Sequence, residues 1–193
     1  MMNMLETINE FINSLIQYLG ASGPILGCIL IVVESMLPVL PLCVFITLNC
    51  MTFGYILGFI MSWIFTCLGC FISFRICDSK LKGWFDRQVR NKESINKMMK
   101  TIENCKVSSL ALIVAVPFTP AFLVNIAAGL SDMDTKKFMT GICIGKFFMV
   151  YFWAFIGTNL VQSLTNPIIL IKVGIMLLIA YIFSKIVSKK FNL

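Results

Sequence analysis

The chain has no histidine, and charged residues make up only 13% of its 193 positions. Without histidine, a metal centre or a histidine-based catalytic site lacks one of its commonest side chains. Hydrophobic residues account for 59% of the chain, and the mean hydropathy is +0.91. No soluble domain of this size needs so apolar a composition. The sequence therefore predicts a membrane protein whose solvent is largely lipid.

Basic residues are missing before Arg75. Nine of the sixteen Lys and Arg residues then fall between Arg75 and Lys106, and Lys185 begins a second basic cluster. This clustering is typical of cytoplasmic membrane loops. It argues against nucleic acid as a partner, despite the formal charge of +7.

Eight cysteines are scattered through the chain, mostly inside hydrophobic stretches, where cysteine acts as a small apolar residue. A disulfide framework is therefore not expected. Cys67-x-x-Cys70 has a redox or metal-binding spacing, but it lies in the middle of an apolar stretch, where packing is the preferred interpretation. We expect no metal and no cofactor.

Residues 1–20 form a predicted amphipathic helix at the membrane surface, because apolar side chains recur there every three or four positions. Glu6 and Glu10 stand where a signal peptide would carry basic residues. We expect this segment to remain in the mature protein.

Five apolar stretches follow, and a membrane span needs roughly 20 mainly apolar residues. They are 23–47, 53–74, 107–130, 138–161 and 166–188. Two are broken by paired prolines, Pro38 with Pro41 and Pro117 with Pro120. Each proline removes a backbone donor, and broken backbone survives in hydrocarbon only where protein buries it or where it lines a wet cavity. The pattern predicts re-entrant hairpins at 23–47 and 107–130.

The basic clusters test this interpretation independently. If the basic loop 75–106 is cytoplasmic and 107–130 dips in and returns, then Lys136, Lys137 and the C-terminal lysines also lie inside. The predicted fold is all-α and polytopic: two inverted repeats, each a proline-broken re-entrant hairpin followed by a transmembrane helix, plus a C-terminal transmembrane helix. The alternative is that the prolines merely kink two ordinary spans.

The loop 75–106 also carries an apolar stripe that includes Ile95, Met98 and Ile102 on a strongly basic helix. Cationic side chains near the cytoplasmic leaflet attract anionic lipids. Membrane docking and topology therefore explain this charge without a specific ligand.

Two motifs stand in order along the chain. They are Glu34-x-x-x-Pro38-x-x-Pro41 and Pro117-x-x-Pro120-x-x-x-x-Asn125-x-x-x-Gly129. Together they resemble the DedA family within the VTT-domain superfamily, also called SNARE-associated Golgi proteins, and the predicted membrane domain of this type covers 21–162. The resemblance implies lipid translocation: phospholipid scrambling, as in eukaryotic relatives, or recycling of undecaprenyl phosphate or phosphatidylethanolamine, as in bacterial ones. Proton coupling has been proposed for the family.

The chain departs from the family pattern at two positions. Cys43 stands where bacterial relatives have a second acid, and Val114 stands where relatives have an arginine before the second proline pair. These departures put in doubt a mechanism that needs both a carboxylate pair and that arginine.

Charged and amide side chains at membrane depth supply the candidate transport site. Glu34 is the only carboxylate in the apolar stretches, and its cost there suggests a transport role, with a protonated structural glutamate as the alternative. Lys146 either binds a lipid phosphate or pairs with Glu34, unless it reaches back to the interface. Asn125 either contacts a headgroup or bonds within its hairpin. The candidate site comprises Glu34, Pro38, Pro41, Pro117, Pro120, Asn125, Gly129 and Lys146.

The leading hypothesis is a non-enzymatic flippase or scramblase in a bacterial plasma membrane, with the lipid headgroup passing between the hairpins. A membrane enzyme acting on lipids would need a nucleophile, a metal cluster or an acid–base pair near the membrane surface. The sequence has no histidine, no paired carboxylate and no phosphate-binding glycine loop, so it indicates none of these. The expected partners are membrane lipids, with a homo-oligomer left open. The alternative is a membrane adaptor or assembly factor that acts through the basic cytoplasmic helix.

Overall fold

The computed structural model describes residues 23–37, 42–83, 93–117 and 121–163, with scattered positions between 171 and 185. Every regular element in this part of the chain is helical, which confirms the all-α prediction. Several predicted features lie outside the described residues. They are the surface helix 1–20, most of the C-terminal stretch 166–188, part of the basic loop, and Pro38, Pro41 and Pro120.

Seven α-helices follow one another in the described ranges. They are α1 (Gly23–Met36), α2 (Leu42–Phe53), α3 (Tyr55–Ile76), α4 (Glu93–Asn104), α5 (Val107–Ala115), α6 (Ala121–Leu130) and α7 (Thr135–Ser163), with a π-helical turn, Cys77–Leu81, after α3. Two continuous helical stretches in this part of the chain are long and apolar enough to cross a membrane, Tyr55–Ser79 and Thr135–Asn159. Each has 25 residues, which cover about 37 Å against a hydrocarbon core of about 30 Å.

The other apolar helices are short and come in two pairs. α1 and α2 have 14 and 12 residues, and α5 and α6 have 9 and 10. Their lengths of about 14–21 Å fall short of a bilayer core. Each pair flanks one proline pair of the sequence. At the second break, Val116 is extended with ψ 120°, because Pro117 disfavours a helical residue before it.

The first pair is longer than the sequence pattern predicted. The predicted hairpin ends at 47, whereas α2 continues to Phe53. No residue between 48 and 53 interrupts the helix, and the chain turns only at Gly54, whose φ is +81°. Glycine adopts this backbone conformation readily because it has no Cβ.

The two long helices pack against each other in opposite directions. Phe74 near the end of α3 stacks on Phe138 near the start of α7, with ring centroids 4.3 Å apart. Farther along, Phe59 near the start of α3 meets Phe147 edge to face at 5.2 Å. The end of α3 therefore lies beside the start of α7, and the two helices are antiparallel.

Glycines show where the short helices pack. A methyl group at Gly69 of α3 would lie 2.7 Å from the Val32 carbonyl oxygen of α1, and one at Gly141 of α7 would lie 2.6 Å from Leu110 of α5. The first helix of each pair thus packs on the long helix that follows it.

The second helix of each pair reaches the other long helix. Gly129 of α6 lies against Phe74 of α3, where an added methyl group would be 2.6 Å from the carbonyl oxygen. Gly157 of α7 lies against Thr47 of α2. The two halves are therefore interlocked through close backbone approach.

Two lysines bond the basic loop to the rest of the protein. Lys137 Nζ donates to the Glu103 carbonyl at 2.6 Å, and Lys82 Nζ donates to the Ser131 carbonyl at 3.0 Å. Both carbonyls lie at the end of a helix, where cations compensate unpaired acceptors. Ile102 of α4 is buried in the same core as Phe138. The C-terminal end of α4, the basic helix of the loop 75–106, is thus packed against the protein.

Candidate functional site

Polar side chains from both helix pairs meet inside the apolar protein. Ser35, in the last turn of α1, is 6% exposed, and Asn125, in α6, is 0% exposed. Asn125 Nδ2 donates to the Ser35 carbonyl oxygen at 3.5 Å. The two proline-broken segments therefore touch through polar groups.

Two atoms of this contact have no hydrogen-bond partner within the described structure. They are Ser35 Oγ and Asn125 Oδ1. Buried polar atoms are nearly always bonded, and leaving one unpaired costs about 1–3 kcal/mol. These two oxygens can bond a polar group that enters between the helix pairs.

Lys146 supplies a buried positive charge in α7. It is 3% exposed, and its Nζ lies 3.7 Å from the thioether sulfur of Met149, which is only a weak acceptor. Its charge acts on Glu34 and on Cys67. The ion pairs found in the described ranges lie elsewhere, Arg75–Asp78 and Lys82–Asp132. A poorly bonded ammonium group of this kind attracts an anion.

Glu34 lies beside Ser35 and is half-buried. It is near enough to Lys146, and to the Cys43 thiol at the start of α2, for electrostatic interaction. The position at which bacterial relatives are expected to have a second acid is therefore close to the first. We call Glu34, Ser35, Asn125 and Lys146 the polar centre.

Val114 packs against α7 at the residue before Lys146. It is fully buried, and a methyl group at Gly145 would lie 3.0 Å from its Cβ. Gly145 immediately precedes Lys146. A cation at position 146 thus stands near the place where relatives are expected to carry arginine.

The remaining predicted site residues are placed differently. Pro117 is half-buried at the second break, and Gly129 makes a helix contact with Phe74 and Cys77. Pro38, Pro41 and Pro120 lie outside the described residues. Sequence reasoning missed Ser35, although a hydroxyl directly after Glu34 in an apolar run was a usable signal.

A second polar cluster, also missed, lies between α1, α2 and α3. Asn49 Nδ2 donates to Ser62 Oγ at 3.1 Å and lies 3.9 Å from the Cys28 sulfur. Gly27 leaves room for this amide, since a methyl group there would lie 2.7 Å from Asn49 Oδ1. We call Cys28, Asn49 and Ser62 the asparagine knot.

No group of three or more His, Cys, Asp or Glu side chains is arranged for metal binding in the described part of the chain. The family model of the VTT domain matches residues 40–159. The chain is also 35% identical, over 163 residues, to the uncharacterized membrane protein YhjE of Bacillus subtilis (strain 168), an alignment that covers 82% of this chain and 77% of that protein. No solved structure gives a significant match.

Proposed function

We propose that this chain, which belongs to the VTT-domain family of membrane proteins, moves a phosphate-bearing lipid headgroup across the membrane. The headgroup passes between two re-entrant hairpins, formed by α1 with α2 and by α5 with α6. The process is binding and release without covalent chemistry. The substrate is a phospholipid or undecaprenyl phosphate.

One observation carries the proposal: the polar centre joins both helix pairs and keeps unpaired groups. Transporters built from inverted repeats bind substrate where the broken segments of the two halves converge. The alternating contacts of the short helices with the two long ones support such a repeat. Two oxygens without a partner in the described structure, and a buried lysine within electrostatic range of Glu34, match a polar headgroup better than a closed structural core.

Each residue of the polar centre has a role in this proposal. Lys146 attracts the lipid phosphate, and Glu34 balances the Lys146 charge between transport events. Asn125 Oδ1 accepts a hydrogen bond from the headgroup, and the Ser35 hydroxyl can donate or accept one. Phosphate and Glu34 then compete for the same cation, which links lipid movement to the charge state of Glu34.

The orientation is also part of the proposal. Lys82 of the basic loop bonds the Ser131 carbonyl, and Lys137 bonds the Glu103 carbonyl within that loop. These contacts put Lys137 at the same edge as the basic loop, and the positive-inside rule puts this edge in the cytoplasm of a bacterial cell. The C-terminus lies on the same side.

The test is a liposome assay of labelled phosphatidylethanolamine and undecaprenyl phosphate, with and without a pH gradient. We expect wild-type protein to move at least one lipid, and Lys146→Met and Glu34→Gln to reduce the rate at least tenfold. Lys100→Met, an exposed lysine on α4, is the matched control and should keep the wild-type rate. Sensitivity to the gradient would show proton coupling.

Moving the positive charge from position 146 to position 114 makes this test more specific. If Lys146 replaces the family arginine, Val114→Arg should restore transport to Lys146→Met.

Folded wild-type protein that moves neither lipid would contradict the proposal and favour the adaptor hypothesis. The adaptor hypothesis predicts that charge changes at Arg87, Arg90 and Lys97 abolish function while Glu34→Gln does not.

A further inference from the structure

An apolar groove, the side crevice, lies between the two long helices. Its walls include Trp63, Cys67 and Phe71 of α3 and Met139 and Cys143 of α7, and its volume is about 290 Å³. Both walls belong to helices long enough to cross a membrane. No other helix of the described ranges contributes to its lining. In a membrane protein, an apolar groove between two such helices can admit lipid from the side.

The floor of the side crevice is a contact between two thiols. The side chains of Cys67 and Cys143 are within hydrogen-bonding contact, and Trp63 Nε1 donates to the Cys143 carbonyl at 2.9 Å. Lys146 lies three residues after Cys143 on α7, and residues at this spacing are neighbours on a helix surface. The floor of the side crevice is therefore close to the buried Lys146 of the polar centre.

Aromatic rings close the side crevice at the end away from Phe71 and Met139. Phe147 meets Trp63 edge to face at 5.7 Å and Phe59 at 5.2 Å. The open part of the groove thus lies in the half of the long helices that is nearer the basic segment.

The lining of the side crevice indicates its occupant. Its walls are almost wholly apolar and belong to two helices long enough to cross a membrane, so the groups that meet the groove in a bilayer are hydrocarbon chains. An acyl chain is favoured there because it avoids water while its phosphate is drawn to a cation.

Resting on the proposed function, we propose that the side crevice holds one acyl chain of the transported lipid while the lipid phosphate lies at Lys146. The headgroup reaches Lys146 when the Cys67 and Cys143 side chains part. The acyl chain then remains in apolar surroundings throughout the movement, and the side crevice is the lateral opening of the transport path.

Photo-crosslinking tests the occupant without any measurement of transport. Full-length protein is placed in phosphatidylethanolamine and phosphatidylglycerol vesicles with a trace of phosphatidylethanolamine that carries a diazirine in one acyl chain, and adducts are located by mass spectrometry. A larger apolar groove on the other side of α7, of about 520 Å³ and lined by Leu112 and Phe148 among others, is the matched control. We expect adducts in the side crevice at least fivefold above those in the control groove. Equal labelling, or labelling concentrated in the control groove, would overturn the inference.

Filling the groove tests its role in movement. Leu68 and Leu112 line the two grooves and are 43% and 38% exposed. Leu68→Trp should lower both the crevice adducts and the transport rate at least fivefold, whereas Leu112→Trp should change either by less than twofold. Equal effects of the two variants would overturn the inference. Crevice adducts in a protein that moves no lipid would contradict the proposed function and leave the acyl-chain site standing.

A reversible disulfide between Cys67 and Cys143 tests whether the floor must open. Copper(II)-phenanthroline takes two electrons from the Cys67 and Cys143 thiols, two protons are released, and an S–S bond forms between the sulfurs. Transport should stop on oxidation, return with dithiothreitol, and be insensitive in Cys143→Ser. Unchanged transport in protein shown by mass spectrometry to carry this disulfide would refute the parting of the floor.

Discussion

Two buried asparagines occupy corresponding places and differ in their bonding. Asn49 and Asn125 lie in the second helices of the two proline-broken pairs, and they are 2% and 0% exposed. Asn49 donates to Ser62 Oγ at 3.1 Å. Asn125 makes only a 3.5 Å contact through its Nδ2, and its Oδ1 has no partner in the described structure.

The difference separates two uses of a buried polar group. A bonded cluster fixes one arrangement of the surrounding helices, as the asparagine knot does for α1, α2 and α3. A buried polar atom without a partner costs stability, and a functional role is one explanation for keeping it. Changes in the asparagine knot should therefore affect folding, and changes in the polar centre should affect transport.

The largest effect is expected where the asparagine knot is most tightly packed. A methyl group at Gly58 would overlap the Asn49 backbone and lie 2.6 Å from the Cys50 Cα. Because backbone yields little, Gly58→Val should cost about 3 kcal/mol or more. Gly83→Ala, with no atom within 4 Å of the added methyl group, should change stability by less than about 1 kcal/mol. Thermal unfolding in detergent measures both, and equal midpoints would contradict the tight packing.

The asparagines themselves give the next largest effect. Asn49→Leu leaves the buried Ser62 hydroxyl without its donor and should cost about 1–3 kcal/mol. Asn125→Leu removes an amide that is already poorly bonded and should stay within about 1 kcal/mol of wild type. In the liposome assay the order reverses, because only Asn125→Leu should slow transport by folded protein. Similar unfolding losses for the two variants would remove the distinction between the clusters.

Much of the fold follows from local sequence, and so do three of the four residues of the polar centre, but the contacts between those residues do not. Apolar length alone places the two long helices, since a span of 20 residues is a property of one segment. Paired prolines break the shorter segments for an equally local reason. The contact between Asn125 and Ser35 joins residues 90 positions apart, and no periodicity within either segment contains it.

Lys146 shows the same limit. The sequence leaves open a phosphate site, pairing with Glu34, or an excursion to the interface, because all three fit a lysine two turns into a helix. The structure buries it beside Met149, with its charge acting on Glu34. Whether a lysine at this depth is buried depends on which helices pack around it, and tertiary packing decides that rather than the local sequence.

A smaller contrast is expected between two buried serines. Ser35→Ala removes an unbonded hydroxyl and should leave stability within about 0.5 kcal/mol of wild type, whereas Ser62→Ala removes a bonded one and should cost about 1 kcal/mol. Transport should fall severalfold only in Ser35→Ala. Unfolding midpoints and initial rates, both normalised to folded protein, give the comparison, and a slower Ser62→Ala with normal Ser35→Ala would reverse our assignment.

The smallest effect on stability is expected at Lys137, whose ammonium group, unlike that of Lys146, donates to a carbonyl oxygen. Burial raises the pKa of the Cys105 thiol, and the positive charge of Lys137 opposes that rise. Lys137→Met removes the opposing charge, so the pKa of Cys105 should rise further and its alkylation at a fixed pH below that pKa should slow. Loss of the contact with the Glu103 carbonyl should also lower the free energy of unfolding by about 0.5–1 kcal/mol.

Peptide-level mass spectrometry of iodoacetamide labelling across pH measures the reactivity of the Cys105 thiol, with the exposed neighbour Lys136→Met as control. Equal slowing in both variants would mean that general surface charge, rather than the Lys137 ammonium group bonded to the Glu103 carbonyl, sets the reactivity of Cys105. A lysine bonded at a helix end would then affect the pKa of a neighbouring thiol no more than a lysine exposed to solvent.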